Sequence, residues 1–201
     1  MNKKLSVGIL ILIGVLLVGS LLLVWGVSTY NRIITLDEQV KAGWSLVESQ
    51  YQRRYDLIPN LVETVKGFAK QEREVLENVT NARARVGQLN VTPEVLNDPQ
   101  AFARFQQAQD GLSSALSRLL VITENYPILK SNENFLQLQS QLEGTENRIT
   151  VARNRFNETV QAFNTTIRRF PGSMVASFSG FQEAQYFQAQ SGAELAPQVK
   201  F

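Results

Sequence analysis

Three glutamates are the side chains in this chain best placed to do chemistry. Glu72 falls in register with Ile58, Leu61, Val65, Phe68, Val75, Val79, Ala82 and Val86, the apolar positions of one helical stretch. A carboxyl carried into an apolar seam has its charged form disfavoured, and its pKa rises toward the range where proton transfer is useful. The plainer reading of Glu72 is a structural polar contact. A hairpin centred near Pro59 would bring it level with Trp44, whose indole N–H would then donate to it. Glu124 and Glu146, each within a Thr-Glu-Asn triplet, raise the question of a metal. Carboxylate di-metal sites in helical bundles combine such residues with Glu-x-x-His motifs, and this chain has 0 His. It also has 0 Cys, which removes thiol nucleophiles, disulfides, cysteine lipidation and the usual zinc sites, and leaves no sign of the redox compartment. No Gly-rich phosphate loop, Gly-x-Ser-x-Gly or His-Glu-x-x-His stretch occurs. The expectation is a protein without enzymatic activity, cofactor or metal.

Arg53 and Arg54 form a pair whose planar donors suit phosphate or carboxylate, and the sequence places them on an exposed surface, either simply solvated or meeting a partner or lipid headgroups. They lead into Asp56-Leu57-Ile58-Pro59-Asn60. Ile58 precedes proline and is pushed away from helical dihedrals, and Asn60 stands three residues before Glu63 as in a capping box, with Asp56 as a second possible cap. The segment therefore reads as a corner between two helices. Net charge is +2 with the signs interspersed and a sequence pI near 9.0, so no basic stripe exists to neutralise a run of phosphates, and nucleic acid is not an expected partner.

These residues need elements to hold them. After a short basic N-terminus (1–4), residues 5–27 carry no charge. At about 1.5 Å per residue that run crosses a hydrocarbon core of about 30 Å, and it exceeds the apolar core of a cleavable signal. A transmembrane helix follows, with the lipid bilayer as first partner and with Trp25 and Tyr30 in the interfacial belt. Lys3 and Lys4 precede the run, and Arg32 and Lys41 are the nearest cations after it, which points to a cytoplasmic N-terminus and a bundle on the periplasmic or extracellular side of the inner (plasma) membrane.

Beyond the span the period is helical. Ile33, Leu36, Val40, Trp44, Val47 and Tyr51 form one stripe, the Ile58–Val86 series a second, Phe102, Phe105, Gln109, Leu112, Leu116 and Leu119 a third, and Phe135 through Ile149, Phe156 and Phe163 to Phe170 a fourth. Thr92-Pro93, Asp98-Pro99, Tyr126-Pro127 with Ser131 and Asn132, and Phe170-Pro171-Gly172 punctuate them. Short connections favour antiparallel neighbours, so the expected fold is all-α, an antiparallel up-and-down four-helix bundle of long, coiled-coil-like helices over 28–171 on a membrane stalk.

The run TYNRIITLDEQVKAGWSLVESQYQRRYDLIPNLVETVKGFAKQE, with ENYPILKSNENF and TENRITVARNRFNETVQAFNTTIRRFP later on, resembles the signature of the LemA family over roughly residues 29 to 171 together with the preceding apolar span. Two positions depart from that pattern: Gln71, where the family often has histidine, and Gly43, where alanine usually precedes the tryptophan and where a bare backbone would admit a close neighbour. The resemblance implies a single-pass bacterial membrane protein with a helical bundle and no established enzymatic activity.

The tail, 172–201, is rich in Ser, Gln and aromatics. Phe178, Phe181, Tyr186 and Phe187 are too apolar to stay solvated and either dock on their own bundle or bind a neighbouring subunit or the bilayer, while Ser191 to Phe201 reads as frayed. The functional expectation is a homo-oligomer that acts as a scaffold or regulator of membrane protein partners, with a sensor that binds a small ligand between helices as the alternative.

Overall fold

The computed structural model describes residues 3–69, 71–89 and 93–188. All regular structure among them is helical: α1 (Lys3–Phe68), α2 (Arg73–Gly87), a single 3₁₀ turn (Pro93–Asn97), α3 (Pro99–Thr123), the short α4 (Pro127–Lys130), α5 (Glu133–Arg168) and α6 (Gly172–Ser179).

The element that organises the molecule is α1, one helix of 66 residues. Its first part is long and apolar enough to cross a membrane, and none of its most apolar window is buried. From Ile33 onward the same helix presents Val40, Trp44, Val47, Tyr51, Ile58, Leu61 and Val65 to the core. The corner expected at Pro59 does not exist, since Pro59 lies inside the helix. Asn60 makes no cap either, its carbonyl accepting instead from Thr64 Oγ1 at 2.8 Å. A proline in a helix leaves the carbonyl four residues back without its donor, here that of Tyr55. Arg83 of α2 supplies the replacement, with Nε donating to the Tyr55 carbonyl at 3.2 Å and its guanidinium 3.8 Å from the centre of the Tyr55 ring. The chain turns after Phe68 instead, where the Ala69 and Glu72 amides close the connection onto Val65 and Ala69.

The later boundaries follow the sequence punctuation. Asp98 caps α3, accepting from the Gln100 and Ala101 amides at 2.8 and 3.1 Å, with Pro99 in the first turn. Pro127 opens α4, and Asn132 caps α5 through the Phe135 amide. The cap expected at Thr92 lies outside the described residues. The α5 helix ends at Arg168, so Phe170, read from the sequence as the last seam position, sits beyond the helix and is exposed. Contacts fix the directions. Trp25 meets Phe170, Trp44 meets Phe156 and Arg54 meets Glu146, so α5 runs antiparallel to α1.

The core divides in two. One cluster gathers around Trp44, Phe102, Phe105, Phe156 and Phe163; the other around Ile58, Leu61, Leu112, Leu119, Phe135 and Leu142. Between them lies a polar layer.

Candidate functional site

That layer is built on Arg54, a side chain only 1% exposed. The residue follows Tyr51 by one turn on α1 and so points into the core, whereas Arg53 points outward and donates to Gln141 Oε1 at 3.1 Å. The pair expected at the surface is therefore split between surface and interior. Each nearby helix supplies Arg54 with an acceptor. Ser113 Oγ on α3 lies 2.6 Å and Glu146 Oε1 on α5 3.0 Å from Nη1, while Nη2 reaches the carbonyl and the side-chain oxygen of Gln109. The guanidinium also stands 5.0 Å from the centre of the Tyr51 ring. Glu146, a metal candidate by sequence, is thus an ion-pair partner. Glu124 is exposed at the end of α3, and no three acidic side chains gather as a metal site among the described residues.

Around this layer three buried polar atoms have no hydrogen-bond partner among the described residues: Tyr51 Oη, Trp44 Nε1 and Arg54 Nε. Burial pushes the Tyr51 hydroxyl up to about 12. Glu48, one turn beyond Trp44, is also raised, mainly by burial; the Trp44 N–H pulls it the other way without reaching hydrogen-bonding geometry. Glu48, Tyr51, Tyr55, Phe105 and Gln109 line a cleft of about 440 Å³ beside the layer, with Gly87 at its edge. A side chain at Gly87 would press on the Tyr55 hydroxyl, its Cβ only 2.9 Å away. With buried donors, a half-buried carboxyl and aromatic walls, the cleft has the makings of a small-molecule site.

The contact proposed between Trp44 and Glu72 is absent. Because α1 continues through Pro59, roughly 35 Å of helix separates Trp44 from Phe68, and Glu72 lies beyond that end. It is half-exposed at the start of α2 rather than in the seam, and its carboxylate accepts from Tyr126 Oη at 2.8 Å. That hydrogen bond holds the Tyr126 hydroxyl above its ordinary value. Trp44 is instead the centre of an aromatic cluster, with the rings of Phe102, Phe105, Phe156 and Phe187 5.2 to 6.0 Å away. Gly43 beside it brings α5 close: a Cβ there would lie 3.6 Å from the Phe156 Cα and 3.3 Å from Thr159 Oγ1. Asp56 is exposed and accepts from Gln52, and Pro59 and Asn60 face solvent.

The four tail aromatics separate into different environments. Phe187 is buried, stacks on Trp44 and carries the Arg153 guanidinium 4.6 Å from its ring. Phe181 packs against Tyr30 and Phe163. Tyr186 is partly exposed and Phe178 almost wholly so. The segment that carries Phe187 is extended and held by its backbone. The Asn164 side chain bonds both the N–H and the carbonyl of Ala184, and Asn157 does the same for Phe187, all at 2.9 Å. Seven helical residues and three extended residues both span about 10 Å, which is why two asparagines a heptad apart can hold positions 184 and 187. Gln106 adds a third pair of bonds, to Gln188. Sequence reasoning missed these clamps, whose only signal is that pair of asparagines repeated on one helical face. Residues 191–201, read as frayed, lie outside the described residues.

The sequence model of the LemA family matches residues 43–201. Magnetosome protein MamQ of Magnetospirillum gryphiswaldense is 26% identical over 189 residues, an alignment covering 85% of this chain and 70% of the relative. Magnetosome protein MamQ 2 of Paramagnetospirillum magneticum matches to the same extent. Protein LemA of Metamycoplasma hominis is 23% identical over 159 residues, covering 79% of this chain and 68% of its own.

Proposed function

The chain belongs to the LemA family, and from that premise we propose that it is a non-enzymatic, membrane-anchored helical protein that self-associates and serves as a scaffold or regulator of partners at the bacterial membrane. The observation that carries this reading is the continuity of α1, whose exposed apolar run passes without a break into a head where the buried Arg54 is neutralised by the protein's own Glu146. A buried charge paired from within the same chain sets the register of neighbouring helices. In this reading the part of α1 beyond the span, with α2, α3 and α5, works as an antiparallel up-and-down four-helix bundle, and the bundle lies on the periplasmic or extracellular side because Lys3 and Lys4 precede the span. The test is light scattering of the detergent-solubilised full chain across a dilution series. A mass of more than one chain that falls on dilution supports self-association, and a monomer at every concentration removes it.

A second reading has its own observation. The cleft beside Tyr51, with that hydroxyl buried and unpartnered, favours a sensor that takes a small polar ligand between α1 and α3. Screening small polar compounds by thermal shift separates the two readings, since a hit must lose its effect in Tyr51→Phe.

A further inference from the structure

The end of the apolar run and the end of α5 meet, and together with α6 they make a surface that neither reading uses. Trp25 packs beside Phe170 with ring centroids 5.7 Å apart, and Tyr30 beside Phe181 at 6.2 Å. The α6 helix seats on α1 and α5 through its buried Gly172 and Ala176. A Cβ on Gly172 would collide with the Thr166 carbonyl, so this close seating requires glycine. The seating turns the opposite face outward: Phe178 is 89% exposed, Met174 one turn earlier 54%, and Phe170 72%. Bare side chains of this size, on α6 and just before it, mark a surface that something covers.

Beside them a cleft of about 760 Å³ opens between α1 and α5, with Trp25 and Phe170 at one end and Arg32 and Arg169 on its walls. Neither guanidinium has a carboxylate within ion-pair distance among the described residues. Glu158, the acidic residue of the lining, lies about 16 Å along α5 from Arg169.

Two features on the page choose the occupant. The patch continues the exposed apolar run of α1, so a bilayer around that run reaches the patch without any change of shape. Its chemistry also has two layers, apolar and aromatic groups beside unpaired arginines, which is the arrangement of an acyl boundary beneath phosphates. We propose that this collar seats an anionic phospholipid, with Arg32 and Arg169 holding its phosphate while Phe170, Met174 and Phe178 enter the boundary between headgroups and acyl chains. The inference rests on the membrane-anchored reading above and adds the ligand class and the residues that take it.

The chain has 0 Cys, so spin labels can be placed singly at Leu17→Cys and Phe178→Cys in the full chain reconstituted in phosphatidylcholine–phosphatidylglycerol nanodiscs. Both labels should relax faster with oxygen than with a water-soluble nickel chelate, and Phe178 should read shallower than Leu17. Leu17 in hydrocarbon with Phe178 in water overturns the collar and keeps the anchor; both in water overturn both. Native mass spectrometry of protein extracted from an equal mixture of the two lipids reads the headgroup. Two arginines at the surface should enrich phosphatidylglycerol by about thirtyfold. Arg32→Gln with Arg169→Gln should bring the ratio to parity, and Arg32→Lys with Arg169→Lys should retain part of it. Equal retention of the two lipids by the unmodified protein overturns the assignment. So does displacement of phosphatidylglycerol by millimolar inorganic phosphate, which would mark a free-phosphate site.

Discussion

A guanidinium inside an apolar core is stable only when acceptors surround it, and Arg54 draws them from Gln109, Ser113 and Glu146 on two other helices. Breaking such a pair from one side leaves a buried charge uncompensated. Glu146→Ala should therefore lower unfolding free energy by about 2–3 kcal/mol, less than the roughly 3–5 kcal/mol of a fully buried pair because water reaches a carboxylate that is 37% exposed. Adding Arg54→Met should recover most of the loss. A double variant as unstable as the single one in chemical denaturation would refute this account of the layer. Tyr51 gives the second test. Its hydroxyl titrates near 10.0 when exposed and is pushed to about 12 in the fold, so between those values the folded state holds a proton that the unfolded state has lost. Stability must then fall as pH rises from 10 to 12, by on the order of 2 kcal/mol, and be unaffected by this group below pH 10. Tyr51→Phe should flatten that slope, and because it removes a buried hydroxyl without a partner it should not destabilise the protein at neutral pH.

At the scale of elements, the proline that interrupts no helix is the instructive case. Host–guest propensities assign about 3 kcal/mol against proline in a helix interior, and α1 tolerates it because Arg83 donates to the freed Tyr55 carbonyl. Pro59→Ala would restore the ordinary backbone donor to that carbonyl, so Arg83→Met should cost less in the Pro59→Ala background than in the natural chain. A coupling of about 1 kcal/mol is expected; additive effects would mean that the Arg83 contact is incidental. The same residues show what was legible in the sequence. The helical stripes, the cap at Asp98 and the break at Ser131 and Asn132 could be read, because periodicity, capping and punctuation are local. The corner at Pro59 was misplaced because its rule is local too, while the group that overrides it sits on α2. Lys66 and Gly67, a cation and a glycine near the true end of α1, were the available stop signal. Adjacent arginines look alike on paper, so the sequence places Arg54 at the surface with Arg53, and only the helical phase relative to Tyr51 and Ile58 separates the buried one from the solvated one. The sequence leaves docking of Phe187 as one of two readings, and the asparagines that decide it differ from solvated polar positions only in recurring a heptad apart on one helical face.

At the scale of the molecule, the consequence of an unbroken α1 is mechanical. A flexible linker between an apolar segment and a domain would let the domain tumble; here a single helix runs from the apolar segment through Tyr30 and Arg32 to Phe68. The surroundings brace that passage, since Phe170 lies against Trp25 and Phe181 against Tyr30 on the two sides of the point where a hinge would sit. Any rotation or tilt of the head must therefore be shared by the span, and a scaffold built this way would impose its own orientation on whatever it holds at the membrane. Spin labels at Ser20→Cys and Gln52→Cys in nanodiscs measure this directly. At about 1.5 Å per residue a continuous helix puts their backbones roughly 48 Å apart, and the distance distribution should be narrow, with a width set by the labels. Alanine at Phe170 and Phe181 should leave the mean unchanged, because the helix carries its own hydrogen bonds, while two glycines inserted after Tyr30 should broaden it toward shorter distances. A broad distribution in the unmodified chain would place a hinge between span and head, and the head would then be a tethered domain with no orientation to transmit.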